Sequence, residues 1–160
     1  MQSTQAPAHL ELARELQDRI SGEVRFDPYS RLFYSTDASL YEMEPVGVVV
    51  PRDEEDVMSA VKMAGEHGVP LLPRGGGTSL AGQTVNHALV MDFSKYMRHV
   101  IEVNAEERWV RTQPGIILDE LNRHLEPHGL HFAPDPSTSN RGNVGGALGN
   151  NSCGAHSIMY

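Results

Sequence analysis

The sequence contains a single cysteine, Cys153, among its 160 residues. One thiol can form neither an internal disulfide nor the set of thiolates that holds an iron–sulfur cluster, so this chain alone can build neither. Cys153 lies in a stretch of small residues, and a small buried thiol is the favoured interpretation of it.

Long hydrophobic runs are also absent, since no stretch approaches the roughly 20 apolar residues that a membrane-spanning helix needs. The first residues, Met1 to Ala8, lack the basic and then apolar pattern of a secretory signal. The sequence therefore predicts a cytoplasmic protein, with peripheral attachment to the inner membrane as the alternative.

Positive charge is scarce, because 13 Lys and Arg residues stand against 21 Asp and Glu residues and give a formal net charge of -8. A field of this sign repels phosphate backbones and anionic membranes, so nucleic acid is not expected as a partner. An anionic ligand would have to be held by local backbone amides and a few placed cations.

The hydrophobic patterns that are present predict an amphipathic helix over residues 6–20, an irregular arm from Phe26 to Pro45, and a parallel strand–helix–strand unit over residues 46–72. Asp53 is expected to cap the helix of this unit and Gly68 to end it. The apolar stripe of that helix is predicted at Val57, Ala60, Val61 and Ala64.

Further strands are predicted over residues 88–93, 98–103 and 108–113, the last two as a hairpin, followed by a helix from about Ile117 to Leu125 that Gly129 ends. The predicted organisation is an N-terminal helix and arm over residues 1–45 and one domain over residues 46–160. That domain is expected to be incomplete at its C-terminus, because it stops inside its most glycine-rich stretch.

A first glycine-rich loop, PRGGGTSLAG from Pro73 to Gly82, directly follows the second strand of the predicted unit. Successive glycines can adopt positive φ and leave no Cβ in the way, so consecutive backbone N–H groups can converge on one anion. Thr78 and Ser79 add hydroxyl donors and Arg74 adds a positive charge, which together suit a pyrophosphate. The alternative is a flexible surface loop, since glycine runs are often linkers, but the preceding strand and these three polar residues favour the anion site.

Two nucleotide-binding motifs nearly fit this loop. Residues 77–84 read GxxxxGQT, a P-loop with Gln83 where the phosphate-binding lysine belongs, and no helix pattern follows. A P-loop-like phosphohydrolase is therefore the least favoured alternative. The dinucleotide fingerprint GxGxxG is absent, because Leu80 occupies the place of its third glycine.

A second glycine-rich segment runs from Pro134 to Gly154 and combines glycine with asparagine and serine. Small residues let the backbone pass close to a flat ligand, while Asn and Ser side chains supply donors and acceptors. Two such segments indicate one extended ligand that is contacted at several points. The alternative is a cluster of tight turns that packs helix against sheet, which could account in part for Gly145 and Gly146.

Five short motifs in order resemble one family: TDAS at 36–39, PRGGGTS at 73–79, PDPS at 134–137, the pair Gly145-Gly146, and NNSCG at 150–154. Together they resemble the FAD-binding domain of the vanillyl-alcohol oxidase and p-cresol methylhydroxylase type, from about Tyr34 to Tyr160. The nearest branch is that of bacterial FAD-linked dehydrogenases of D-2-hydroxy acids, such as D-lactate, glycolate and D-2-hydroxyglutarate.

This resemblance implies an α+β, two-lobed FAD-binding domain with a small parallel β–α–β lobe and the start of a larger, mostly antiparallel lobe, truncated at its C-terminus. Backbone amides of residues 75–79 would hold the FAD pyrophosphate, and the second segment would line the ribityl and isoalloxazine part. The implied cofactor-binding residues are Arg74, Gly75, Gly76, Gly77, Thr78, Ser79, Gly82, Pro134, Asp135, Ser137, Gly145, Gly146, Asn150, Ser152 and Gly154. Asn143 departs from the family, which often has a threonine there.

The resemblance also implies a reaction: a hydride passes from the substrate Cα to flavin N5, a base takes the hydroxyl proton, and the electrons go on to another acceptor. No catalytic residue and no metal ligand is assigned in this chain, since His124, His128 and His131 are predicted at the surface and His156 in a solvated loop. Most of the substrate site, the electron acceptor and any iron–sulfur region are expected outside this chain, which alone is expected to be inactive. A non-catalytic flavin or nucleotide carrier that serves a partner chain is the main alternative.

Overall fold

A computed structural model describes residues 5–160 of the chain, with side chains described from residue 9 onward. Residues 1–4, the beginning of the predicted N-terminal segment, lie outside the described residues. The chain divides into two compact units, one that ends at Asp92 and one from Phe93 to Tyr160. The predicted boundary at residues 45 and 46 stays a prediction.

The first unit combines a four-stranded sheet with three helices. Its elements are α1 Gln5–Arg19, β1 Glu23–Arg25, α2 Pro28–Phe33, β2 Gly47–Val50, α3 Glu54–Glu66, β3 Leu71–Arg74 and β4 Leu89–Asp92. The strand order is β1-β2-β4-β3, in which β4 is parallel to both β2 and β3 and β1 is antiparallel to β2. The predicted parallel unit is thus confirmed, with β4 between its two strands. The short elements β1 and α2 are not predicted by the periodicity.

The core of this unit is built on its two central strands. Residues 48–50 of β2 and 89–91 of β4 are each at most 1% exposed. Such continuous burial is typical of parallel strands that are covered on both faces. Helix α1 contributes Leu12 and Leu16, both fully buried, and packs against α3 and β1.

Helix α3 begins and ends where the sequence predicts. The Asp53 carboxylate accepts a hydrogen bond from the Asp56 amide at 2.9 Å, and Gly68 has a φ of +63°. The predicted apolar stripe is wrong at Val61, which is 51% exposed, because the buried face runs through Ala60, Met63 and Ala64. Strand β3 also begins two residues later than predicted, since the Val69 amide still donates to the Ala64 carbonyl oxygen at the helix end.

The second unit contains the predicted hairpin and helix. Its elements are β5 Val100–Asn104, β6 Trp109–Thr112, α4 Leu118–Leu125, a 3₁₀ turn Glu126–His128 and α5 Val144–Gly149. Strands β5 and β6 pair antiparallel, which confirms the hairpin. The α+β class is confirmed by the two units together. Among residues 5–160, no helix has the length and apolar character that crossing a bilayer requires.

A leucine cluster holds the second unit together. Helix α4 buries Leu118, Leu121 and Leu125, as its spacing predicts, and packs them with Ile116 and Val144. Val144 is the first residue of α5, so the second glycine segment is in part a helix and not only the loop that its composition suggests. Gly129, at a φ of +68°, follows the 3₁₀ turn and ends this helical region as predicted.

Candidate functional site

The first glycine loop leaves the sheet at the carboxyl end of β3, the kind of position at which open parallel sheets bind ligands. Gly77 and Gly82 have φ angles of +63° and +78°, which glycine adopts without steric cost. A Cβ at Gly77 would lie 2.8 Å from Arg74 Nη2, and one at Gly82 would lie 2.7 Å from Tyr41 Cδ2. Two of the predicted cofactor-binding positions therefore require glycine.

The Arg74 guanidinium bonds to the backbone of its own unit. Its Nη1 donates to the carbonyl oxygens of Tyr34 at 3.2 Å and Thr84 at 2.9 Å, and its Nη2 donates to that of Thr36 at 2.8 Å. The guanidinium carbon also lies 5.2 Å from the centre of the Tyr34 ring. Arg74 thus ties the start of the loop to the arm and to Thr84, just after the end of the loop, while its predicted contact with a pyrophosphate stays a prediction.

A buried tyrosine–aspartate pair lies beside Arg74. Tyr34 Oη donates to Asp92 Oδ2 at 2.6 Å, and both residues are 7% exposed. Burial lowers the pKa of Arg74, and the charge of Asp92 opposes that change. Burial and the hydrogen bond to Asp92 raise the pKa of Tyr34 above its ordinary value of 10.0. Asp92 ends β4 in register with Arg74 on β3, so this polar group anchors the position at which the loop begins.

Replacing Tyr34 by phenylalanine is expected to lower the free energy of unfolding by about 1–3 kcal/mol near neutral pH, because the Asp92 carboxylate loses a buried donor. The folded pKa of Tyr34 lies above the unfolded value of 10.0, so this contribution is fully present below that pH and is lost as the pH rises through the folded pKa. The difference in the free energy of unfolding between wild type and Tyr34→Phe should therefore become smaller above about pH 10.

Urea unfolding at pH values of about 7, 9 and 11 measures this difference. Tyr29→Phe changes the same group at a side chain that is 86% exposed, and it should leave the unfolding free energy unchanged. A difference for Tyr34→Phe that stays constant across the pH range would show that the buried phenol is not the linked group.

The hydroxyl groups of Ser79, in the loop, and Thr84, just after it, have partners within the first unit. Ser79 is 9% exposed, and its hydroxyl bonds to the side-chain oxygen of Gln83. Thr84 Oγ1 donates to Asp37 Oδ2 at 2.8 Å. Gly76 is exposed, whereas Gly75 and Thr78 are partly exposed. Of residues 75–79, which are predicted to bind the pyrophosphate, all but Ser79 are thus at least partly exposed.

The second segment brings three of its predicted residues together. A Cβ at Gly154 would lie 2.0 Å from the Asp135 carbonyl oxygen and 2.3 Å from that of Pro134, and the Ala155 amide donates to Asp135 O at 3.2 Å. Asp135 has a φ of +52°, a left-handed conformation that aspartate adopts more readily than most residues because its short side chain can hydrogen-bond locally.

Replacing Gly154 by alanine is expected to lower the free energy of unfolding by about 1–3 kcal/mol, because the new methyl group would overlap two backbone carbonyl groups. Urea unfolding measures the loss. Gly149→Ala is the matched control, since a Cβ there meets nothing within 4 Å, and it should be neutral or slightly stabilising. Equal stabilities of the two variants would contradict the close approach at Gly154.

Neighbouring glycines in α5 have different surroundings. The Gly145 amide donates to Pro114 O at 2.9 Å, and a Cβ there would lie 2.7 Å from Pro114 Cβ, so the packing alternative applies to Gly145. Gly146 and Gly149 are exposed, and a Cβ at either meets nothing within 4 Å. Glycine costs a helix roughly 1 kcal/mol relative to alanine. A side chain at either position would have room within the unit, so packing does not explain the two glycines. A flat ligand that lies close to the backbone would explain them.

The remaining predicted residues of the second segment lie at its surface. Asn150 and Ser152 are exposed just after α5, and their amides donate to the carbonyl oxygens of Gly146 and Ala147. Ser137 is exposed in the turn that precedes α5. Cys153 is also exposed, so the predicted buried thiol is wrong, because the chain after α5 stays at the surface.

The histidines predicted at the surface are found there. His124, His128 and His131 are all exposed. The His156 Nδ1 atom lies 3.3 Å from Asp135 Oδ2, with both side chains about half exposed, which agrees with a solvated loop position.

Asn143 is a polar residue of this region that the sequence alone does not place in the site. It is 4% exposed, its Nδ2 donates to the Gly115 carbonyl oxygen, and its Oδ1 has no hydrogen-bond partner among the described residues. An orphaned buried acceptor is costly, and a bound group with an N–H or O–H donor would satisfy it. The only sequence signal is that asparagine stands where the family often has threonine.

A profile described as an FAD binding domain matches residues 45–160 of the chain. The chain therefore belongs to the family of FAD-binding domains, and the predicted cofactor, FAD, is confirmed at the level of the family. Among individual proteins, D-2-hydroxyglutarate dehydrogenase of Pseudomonas putida is 42% identical over 161 residues, which cover 99% of this chain and 16% of that protein. The chain thus spans about a sixth of the length of this curated relative.

Solved structures with this fold include an alkyldihydroxyacetonephosphate synthase, with a TM-score of 0.84 and 25% identity over 94% of this chain and 31% of that chain. Another is p-cresol methylhydroxylase, with a TM-score of 0.69 and 18% identity over 94% of this chain and 30% of that chain. The resemblance to FAD-binding domains of the p-cresol methylhydroxylase type is confirmed.

Proposed function

We propose that this chain holds FAD within a flavin-dependent dehydrogenase that oxidises small D-2-hydroxy acids. The family membership supports the cofactor, and the 42% identity to a D-2-hydroxyglutarate dehydrogenase supports the substrate class. The observation that carries the cofactor site is the glycine loop after β3, where Gly77 and Gly82 take left-handed conformations beside exposed backbone.

The residues of this chain would act by binding and orientation. In the first unit, amides of residues 75–79 would donate to the diphosphate, and the bonds from Arg74 to three carbonyl groups would hold the loop in place. In the second unit, Gly146 would allow close approach of the flat ring system, and the Asn143 Oδ1 atom would accept a hydrogen bond from it. When bound, FAD supplies the acceptor for a hydride from the substrate carbon.

Other parts of the proposal concern the whole protein. Residues outside this chain would bind the substrate carboxylate, provide the base that takes the hydroxyl proton and contact the electron acceptor. A cytoplasmic location, with peripheral attachment to the inner membrane as the alternative, belongs to the same proposal. A carrier of FAD without catalytic activity is the second candidate, because no residue of this chain is assigned as a base.

Anaerobic reduction of the intact protein tests this function without any need to know the electron acceptor. The purified protein should show the visible absorbance of oxidised flavin, and that absorbance should bleach on addition of D-2-hydroxyglutarate, D-lactate or glycolate. L-2-Hydroxyglutarate is the matched control and should leave the spectrum unchanged. Bound flavin that none of these acids reduces would favour the carrier, and a protein that binds no flavin would contradict the cofactor assignment.

A further inference from the structure

We infer that residues 34–39, here called the arm segment, position the first glycine loop for FAD, and that the pair of Asp37 with Thr84 sets FAD affinity without touching the cofactor. This inference rests on the proposed function, since it takes the loop to be the diphosphate site. The FAD-binding profile begins only at residue 45, so the arm segment lies outside the matched region.

The arm segment contacts the loop at its beginning and in its middle, and it contacts the chain just after the end of the loop. At the beginning, Arg74 donates to the carbonyl oxygens of Tyr34 and Thr36. In the middle, the Ala38 amide donates to the Gly77 carbonyl oxygen at 3.0 Å. Two residues after the end, Thr84 Oγ1 donates to Asp37 Oδ2 at 2.8 Å. A loop rich in glycine loses much backbone entropy when it is ordered, so contacts of this kind determine whether its amides are preorganised.

The Asp37 carboxylate bonds both to the arm segment and to the chain that follows the loop. Its Oδ1 accepts the Ser39 amide at 2.8 Å, which fixes the turn of the arm segment, while its Oδ2 holds Thr84. Although partial burial raises the pKa of Asp37, the hydrogen bonds from Ser39 and Thr84 outweigh it and keep that pKa below its ordinary value. The carboxylate is therefore charged at neutral pH and accepts both bonds.

The charge of Asp37 and its positioning of the loop predict opposite effects on FAD binding when Asp37 is replaced. A carboxylate near a proposed diphosphate site repels the anion, so removal of Asp37 would strengthen FAD binding if charge alone mattered. If Asp37 positions the loop, its removal weakens FAD binding instead. The sign of the change therefore separates the two roles.

The experiment compares Asp37→Ala, Thr84→Val and the double variant of the intact protein. We expect each single variant to weaken FAD binding about tenfold, as measured by quenching of flavin fluorescence, and the double variant to be no weaker than either, because both remove one contact. Thr84→Val breaks the contact but keeps the charge of Asp37 and nearly the shape of the Thr84 side chain. It therefore separates the effect of positioning from the effect of charge. Asp18→Ala removes the same charge from an exposed residue of α1 and should leave binding unchanged.

A second measurement follows the rate at which trypsin cleaves the loop in protein freed of FAD. Trypsin should cut the Arg74–Gly75 bond several-fold faster in Asp37→Ala and Thr84→Val than in wild type and Asp18→Ala, because the guanidinium is released more often from its carbonyl partners. Cleavage rates that are equal in all four proteins would overturn the positioning role, as would FAD affinity that is unchanged or higher in Asp37→Ala. Failure of wild type to bind FAD would refute the proposed function and with it the role of the pair in FAD affinity, whereas the cleavage assay, which needs no cofactor, tests the positioning of the loop by itself.

Discussion

Gly77→Ala is expected to weaken FAD binding at least tenfold. Gly77 has a φ of +63°, and an added Cβ would lie 2.8 Å from Arg74 Nη2. The methyl group would strain the backbone by roughly 1–2 kcal/mol and push the guanidinium away from its carbonyl partners. Both effects displace the amides that are proposed to receive the diphosphate. Titration of the flavin-free intact protein with FAD, followed by flavin fluorescence, measures the change.

Gly68→Ala is the matched control for Gly77. Gly68 has the same φ of +63°, but a Cβ there meets nothing within 4 Å and it lies after α3 instead of in the loop. This control should lose a similar amount of stability and keep the FAD affinity of wild type. Equal losses of affinity in the two variants would mean that Gly77 acts through general stability and not through the site.

Asp56→Ala is expected to lower the free energy of unfolding by about 3 kcal/mol. Asp56 is 4% exposed, and its carboxylate accepts hydrogen bonds from the Ser21 amide at 2.7 Å, the Ser21 hydroxyl at 3.1 Å and the Arg52 amide at 2.9 Å. Its loss leaves two backbone amides without their acceptor, at the point where the turn after α1 meets the start of α3.

Urea unfolding of Asp56→Ala, beside Asp53→Ala, measures this effect. Asp53 accepts one bond as the cap of α3, so its replacement should cost only about 1 kcal/mol. A smaller loss for Asp56→Ala than for Asp53→Ala would contradict the role of the buried carboxylate as a link between α1 and α3.

Elements with strong local signals could be predicted from the sequence. The cap at Asp53, the left-handed glycine at Gly68 and the leucine stripe of α4 depend on neighbours in the chain, and the structure confirms all of them. Strand β1 has only three residues, and α5 consists largely of glycine and small apolar residues, so neither has a readable period. The predictions for Val61 and Cys153 are wrong, because tertiary packing decides which side of a segment is covered.

In the candidate site, too, some features have a local signal in the sequence and others depend on tertiary contacts. The two glycine-rich segments predict where the backbone approaches a ligand, and two left-handed glycines in the first segment agree with that prediction. The bonds from Arg74 to the carbonyl oxygens of Tyr34 and Thr36, and from Thr84 to Asp37, join residues 38 to 47 positions apart and carry no local signal. The orphaned Asn143 Oδ1 atom is likewise a product of burial in the second unit.

A crystal structure of the intact protein with FAD bound is the most direct test of the central claim, that backbone amides of the first glycine loop hold the diphosphate. The account predicts diphosphate oxygens within about 3 Å of amide nitrogens among residues 75–79. A diphosphate bound elsewhere, with those amides left to solvent, would contradict it.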